Sequence, residues 1–187
     1  MKEPNWTRCT EKQMWHWVAV HLAQAGIDCT LVGGAVAAIY SQGAYRSGDL
    51  DIVVENFPRP TPKQMDAVFG TFGFQRRGML YHHPECHHLA VQVLLGSVHV
   101  GKDHHIVPSV AKVSGVSIKM LSATDIVKDR LASCLYFHAE ECFDQAELVA
   151  RAQTIDWQSV RAWAKAESSD MPAMVRRLQR RLSKPLS

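Results

Sequence analysis

"LVGGAVAAIYSQGAYRSGDLDIVVE", Leu31 to Glu55, is the stretch that decides the fold. A hydrophobic run, "IDCTLVGG", reads as a short buried strand ending at Gly33-Gly34. Ala35 to about Ser41 reads as a helix closed by Gly43, and "DLDIVVE" as a second strand. On a strand, residues i and i+2 share a face, roughly 6.5–7 Å apart along the chain. Asp49 and Asp51 therefore project together, with Leu50 and Ile52 on the buried side. Two carboxylates so placed repel or share a proton unless a cation lies between them. Hard oxygen ligands favour Mg²⁺ (or Mn²⁺), which takes one or two carboxylates plus substrate phosphates. The glycine pair supplies a second element. It lets a phosphate approach the backbone, where the amides of the following helix attract it.

Working outward, Thr10-Glu-Lys-Gln13 reads as a capping box. Trp15, Val18, Ala19 and Leu22 then recur at helical spacing until Gly26. Thr61-Pro62 opens another helix, ended by Gly73. Beyond it the period changes. "FQRRGMLYHH", "HLAVQVLLG", "HIVPSVAKV" and "VSIKML" read as strands, the last two joined at Ser114-Gly115. From Ser122 the pattern is helical, first capped by "SATD", then continued by "DWQSVRAWAKA" and a basic tail. The order predicts an α/β (α+β) fold, a mixed β-sheet flanked by helices. Residues 1–121 form its core and 122–187 a C-terminal helical region.

Composition limits the alternatives. The chain has 187 residues, 47% hydrophobic and 21% charged, enough for a core that needs no staples. Cys9, Cys29, Cys86, Cys134 and Cys142 are odd in number, irregularly spaced and mostly in apolar segments, which suggests buried reduced thiols. No apolar run approaches the ~18 residues that span a bilayer, and "MKEPNW" leads into an amphipathic segment. A cytoplasmic protein without membrane contact is expected. The net charge of +3 hides an asymmetry: residues 151–187 carry a surplus of five positive charges. The tail "RRLQRRLSK", Arg176 to Lys184, could attract RNA, or could be a solvated helix complementing its own dipole.

The motifs carry a resemblance. "LVGGAVAAIYSQGAYRSGDLDIVV" resembles the signature of the nucleotidyltransferase superfamily: Gly-Gly, a helix, then Asp-hydrophobic-Asp-hydrophobic. "YRSGDLD" is similar to the Arg-x-Thr-x-Asp-hydrophobic-Asp variant of its small bacterial members. "LSATDIVKDRLASCLYFHAEECFDQAELVARAQ" resembles their helical segment. The likeness is strongest to minimal nucleotidyltransferases and to AbiEii-type toxins of toxin–antitoxin and phage-defence systems. It implies that Gly33, Gly34 and Ser47 contact a nucleoside triphosphate and that Asp49 and Asp51 are catalytic and bind Mg²⁺. It further implies that Arg46 and Lys128 meet phosphates. The reaction implied is transfer of a nucleoside monophosphate to an acceptor hydroxyl on tRNA, a protein or a small molecule. An antitoxin protein would be a partner.

One departure stands out. Members of that superfamily usually add a third carboxylate from a neighbouring strand, and small relatives tend to show Val-Glu-aliphatic there. This chain has Val91-Gln92-Val93. Gln92 can offer an amide oxygen but no charge and no useful proton acceptor. Glu55 shares the aspartate face but lies about 13 Å beyond Asp51 on an extended strand. Glu85 and Asp103 fall in predicted loops. Either two carboxylates suffice, or the third comes from elsewhere, or the chain is a catalytically degenerate binding or regulatory module. A further class is suggested by "YHHPECHH", Tyr81 to His88, which is rich in metal-ligand types. Adjacent histidines on strands point to opposite faces, so a polar loop is the simpler reading. Trp157 and Trp163 are read as packing residues.

Overall fold

The structure is a computed structural model that describes residues 1–56 and 58–185, so the last two residues of the expected helical region lie outside it. A 3-10 turn, Trp6–Arg8, leads into α1, Glu11–Gln24. Thr10 and Gln13 cap α1 reciprocally, as the sequence predicts. Then come β1 (Cys29–Val32), α2 (Gly33–Tyr40), β2 (Asp49–Val54) and α3 (Pro62–Thr71). Thr61 and Gln64 form a second capping box ahead of Pro62.

Five strands follow where the sequence suggested four: β3 (Gln75–Arg77), β4 (Leu80–His82), β5 (Ala90–Leu95), β6 (Ser109–Val113) and β7 (Val116–Met120). The stretch read as one strand over 74–83 is a hairpin. Gly78 takes φ +63°, which folds Leu80 back against Arg77. Strand β6 starts after Pro108 and is shorter than expected, because proline offers no ladder donor. Four helices follow among the described residues: α4 (Ala123–Phe137), α5 (Glu140–Ala152), α6 (Trp157–Glu167) and α7 (Met171–Leu182). The break between α4 and α5 is His138, held at φ +55°.

Among the described residues seven strands join one mixed sheet in the order β3-β4-β5-β2-β1-β7-β6. At its centre β1 runs antiparallel to β2 and parallel to β7, while β2 runs parallel to β5. Central position explains the burial of Leu31, Leu50, Ile52 and Val54. The apolar stripe of α1, with Met14, Trp15, Val18 and Leu22, is buried against the sheet. Helices α4 and α5 pack together and against α2, which ties the helical region to the segment carrying the glycine pair. All five cysteines are buried free thiols.

The histidine-rich segment binds the N-terminus to the β3–β4 hairpin. His83 is buried and stacks on Trp6 with centroids 3.9 Å apart. His88 Nε2 donates to the Cys9 carbonyl at 2.8 Å. Among the described residues no group of three or more His, Cys, Asp or Glu converges on one point. The basic tail is partly consumed inside the fold. Arg177 reaches Glu140 at 3.2 Å and lies 4.2 Å over the Phe143 ring, and Arg181 reaches Asp144 at 2.8 Å and Glu147 at 2.6 Å. Arg176 and Arg180 stay exposed. No helix among the described residues is long and apolar enough to cross a membrane.

Candidate functional site

Strand β2 alternates as its sequence requires. Asp49 and Asp51 are half-buried on one face, with Leu50 and Ile52 fully buried on the other. Among the described residues neither carboxylate accepts a hydrogen bond or forms an ion pair. The consequence falls on Asp51. Burial, then the Asp49 carboxylate, push its pKa up to about 6; Asp129 adds to the rise and Arg130 opposes it. Two such carboxylates with no protein cation between them form a hard-oxygen donor set, and a divalent ion fits it.

The chain before the carboxylates is built to approach them. Val32 pairs with Asp51 across the β1–β2 ladder, and Gly33 follows at φ +70°. A Cβ at Gly33 would stand 2.5 Å from Asp51 Oδ2, so only glycine fits. Helix α2 starts at Gly33, two residues earlier than the sequence reading. Its N-cap, Val32, makes no side-chain cap, so the first-turn amides must find another acceptor. Gly34 has a different reason to be small: a Cβ there would meet Ser47 Oγ at 3.0 Å and Tyr45 OH at 3.4 Å.

Arg46 and Ser47 are fixed by α1. Buried Glu11 accepts from Arg46 Nε and from the Ser47 amide, both at 3.0 Å and both on Oε1. The Arg46 side chain remains 56% exposed, and among the described residues its terminal nitrogens donate no hydrogen bond. Lys128 is placed differently from the expectation. It is buried on α4, and its Nζ donates to Asp125 Oδ1 at 3.0 Å. Asp125 in turn accepts from the Ser122 cap at 2.6 Å. The neighbours Asp129 and Arg130 carry the charges felt by Asp51. Arg130 Nε and Nη2 donate to Asp129 Oδ2 at 3.0 and 2.6 Å, and Nη1 donates to Gln145 at 3.3 Å. Burial works against the Arg130 charge, but Asp129 and, more weakly, Cys142 and Asp51 raise its pKa above the ordinary value. In "KDR" the lysine is the residue that the resemblance points to, and the structure shows it paired with Asp125. An aspartate three residues before that lysine was the available signal, because such a pair can satisfy itself along the helix.

Gln92 stands beside Asp51. The parallel β2–β5 register pairs Asp49 with Ala90 and Asp51 with Gln92, so the amide shares the carboxylate face. A cavity of about 600 Å³ between α1, α2, β6 and β7 contains neither aspartate. A second, of about 480 Å³, is lined by Asp129, with His99, Lys102, Ser133, Tyr136 and Glu167 around it.

No family model and no curated protein sequence matches the chain. Among solved structures it is similar to an antigenic nucleotidyltransferase-like protein from Paracoccidioides brasiliensis. The TM-score is 0.60 at 12% identity, over 91% of this chain and 88% of that one. The fold is nucleotidyltransferase-like. The chain also aligns with ANT(2")-Ia in its complex with adenylyl-2"-tobramycin, covering 90% of this chain and 96% of that one. There the TM-score is 0.47 at 11% identity, too low to bear on the fold. Within the nucleotidyltransferase-like fold, Asp49 and Asp51 open the strand beside the first glycine turn, and Gln92 occupies the neighbouring strand.

Proposed function

We propose that this chain is a divalent-cation-dependent nucleotidyltransferase. It moves a nucleoside monophosphate from a nucleoside triphosphate to an acceptor hydroxyl. The observation that carries the reading is the Asp49–Asp51 pair, left without a protein cation and in reach of the glycine that opens α2. Asp49 and Asp51 would hold Mg²⁺ or Mn²⁺, which when bound neutralises triphosphate charge and eases departure of pyrophosphate. The chain's own groups do the rest. Gly33 admits a phosphate to the backbone, and the uncapped amides of α2 donate to it. Arg46, anchored at Nε by Glu11, presents its remaining nitrogens to the phosphates.

The acceptor is a hydroxyl on tRNA, a protein side chain or a small molecule. A toxin-type role with an antitoxin partner belongs to the same reading. Recruitment of RNA would fall to Arg176 and Arg180, since Arg177 and Arg181 are engaged with α5. The test is incubation with α-labelled triphosphates, Mg²⁺ and cell RNA or protein. Transfer abolished in Asp49→Ala and Asp51→Ala supports the reading. Gln92 favours a second one, in which the chain binds nucleotide without turnover. That reading requires binding with no transfer, and transfer gained in Gln92→Glu.

A further inference from the structure

The cavity of about 600 Å³ lies apart from the aspartate pair, and the edge of the sheet explains it. Strand β6 ends the sheet, paired with β7. Their antiparallel register sets Ser109 opposite Met120, Ala111 opposite Ile118 and Val113 opposite Val116. Residues directly opposite share a face. Helix α1 packs on β1 and β7. On β6 the same face carries two small side chains, Ser109 and Ala111. The space beside them is the cavity, bounded by Trp15 and His16 of α1 and by Ile39 and Tyr40 of α2.

Its walls are fixed by hydrogen bonds. Tyr40 OH donates to the Leu121 carbonyl at 3.2 Å, and Gln153, the C-cap of α5, donates through Nε2 to the Tyr40 carbonyl at 2.8 Å. Ile39, Ile118 and Met120 make part of the lining apolar. The charge around it has one sign. Lys12 and His16 come from α1, one turn apart, and Lys112 comes from β6; no carboxylate is among the described residues that line the cavity. The lysine ion pairs of the fold are made elsewhere, by Lys119 and Lys128, and Lys12 and Lys112 have none among the described residues. Burial, then the Lys12 charge, lowers the His16 pKa, so the wall already resists further positive charge. One donor is left over. Trp15 is 1% exposed, and its indole N–H finds no acceptor among the described residues. A buried donor without a partner is costly, and a ligand oxygen would relieve it.

We propose that this cavity binds an amphipathic organic anion. The volume is within the ordinary range of small-molecule sites. An apolar body packs on Ile39, Ile118 and Met120, a carboxylate or phosphate meets Lys12 and Lys112, and a ligand oxygen accepts from Trp15 Nε1. The site is separate from the triphosphate site, because neither Asp49 nor Asp51 lines it, and it does not depend on nucleotidyl transfer.

The experiment titrates octanoate, octyl phosphate and neutral octan-1-ol into the full chain by calorimetry and follows the indole N–H resonances by NMR. Wild type is compared with Lys12→Met plus Lys112→Met, with Ala111→Phe and with Trp15→Phe. At least one of the anions should saturate at one per chain, with octan-1-ol about ten-fold weaker or more, roughly the worth of one charge-assisted contact. The stronger anion tells whether the head group is a carboxylate or a phosphate. The double lysine variant should weaken that anion about ten-fold or more and leave octan-1-ol within about two-fold. Ala111→Phe should abolish binding of all three. The indole resonance that Trp15→Phe lacks should shift when the anion is added to wild type. Lys12, Lys112 and Ala111 are exposed, so their variants decide the matter if Trp15→Phe does not fold. Octan-1-ol binding as tightly as both anions, or anion affinity unchanged in the double lysine variant, overturns the anion assignment. No saturable binding to wild type, or binding that Ala111→Phe leaves intact, overturns the site. A nucleoside triphosphate that displaces the anion in EDTA overturns its separation from the nucleotide.

Discussion

Asp51 on β2 and Gln92 on β5 are register partners in a parallel ladder, side by side on one face of the sheet. The neutral amide spares Asp51 a third like charge on its own sheet face. Gln92→Glu is therefore expected to act in opposite directions with and without a cation. In EDTA at neutral pH it should destabilise the fold by about 1–2 kcal/mol through like-charge repulsion. In saturating Mg²⁺ the loss should vanish, and cation affinity should rise about ten-fold. Thermal melts of wild type and variant under both conditions measure this. A variant equally destabilised with and without Mg²⁺ would place the added carboxylate out of the cation's reach.

Asp51 also sets a pH dependence. Its folded pKa, about 6, lies above the ordinary value near 3.8. The folded state therefore binds the proton more tightly than the unfolded one. Its stabilising contribution is full below about pH 4 and is lost as pH rises through 6. At ~1.4 kcal/mol per pH unit the loss is at most about 3 kcal/mol. Denaturant unfolding of the cation-free chain should show this decline from pH 4 to 7. Asp51→Asn should flatten that component, and Mg²⁺ should oppose it.

Gly33 is fixed by contact as well as by conformation. Gly33→Ala would bring a methyl to 2.5 Å from Asp51 Oδ2 at a backbone φ of +70°. A cost of about 1–3 kcal/mol is expected, with triphosphate binding weakened at least ten-fold. Gly26 has a similar φ of +74° but open space around it, so Gly26→Ala should lose stability without touching nucleotide binding.

Buried Lys128 and partly buried Asp125 make a pair at 3.0 Å. Lys128→Met should leave the Asp125 carboxylate unpaired and cost about 3–5 kcal/mol. Lys128→Met with Asp125→Asn should recover most of that. Triphosphate affinity of the double variant, read by calorimetry, should match wild type. A loss above ten-fold in a folded double variant would return Lys128 to the phosphates.

The frame of the fold was legible because its signals are local. The Thr10–Gln13 and Thr61–Gln64 boxes, the apolar stripe of α1 and the β-branched run after Asp51 each point to one element. The split of 74–83 into two strands was not, because Gly78 sits in a run whose flanks both read as strand. At the site, the Asp pair and Gly33 were legible from spacing, and Gln92 from its place in a valine-rich strand. The influence of the Asp129 and Arg130 charges on Asp51 was not. Their relation to Asp51 arises from the packing of α4 on α2, across nearly 80 residues of chain that no period connects. The contacts of the basic tail were not legible for a similar reason: Glu140, Asp144 and Glu147 on α5 engage two of its arginines, a tertiary match invisible in charge counts.

The central claim is that the Asp49–Asp51 pair and the Gly33 turn form a cation-dependent triphosphate site. Calorimetric titration of a nucleoside triphosphate into the chain tests it without knowledge of the acceptor. Binding that needs Mg²⁺ or Mn²⁺, and that Asp49→Asn and Asp51→Asn each weaken at least ten-fold in folded protein, is the predicted result. Binding equally tight in EDTA, or unaffected in both variants, would contradict the account.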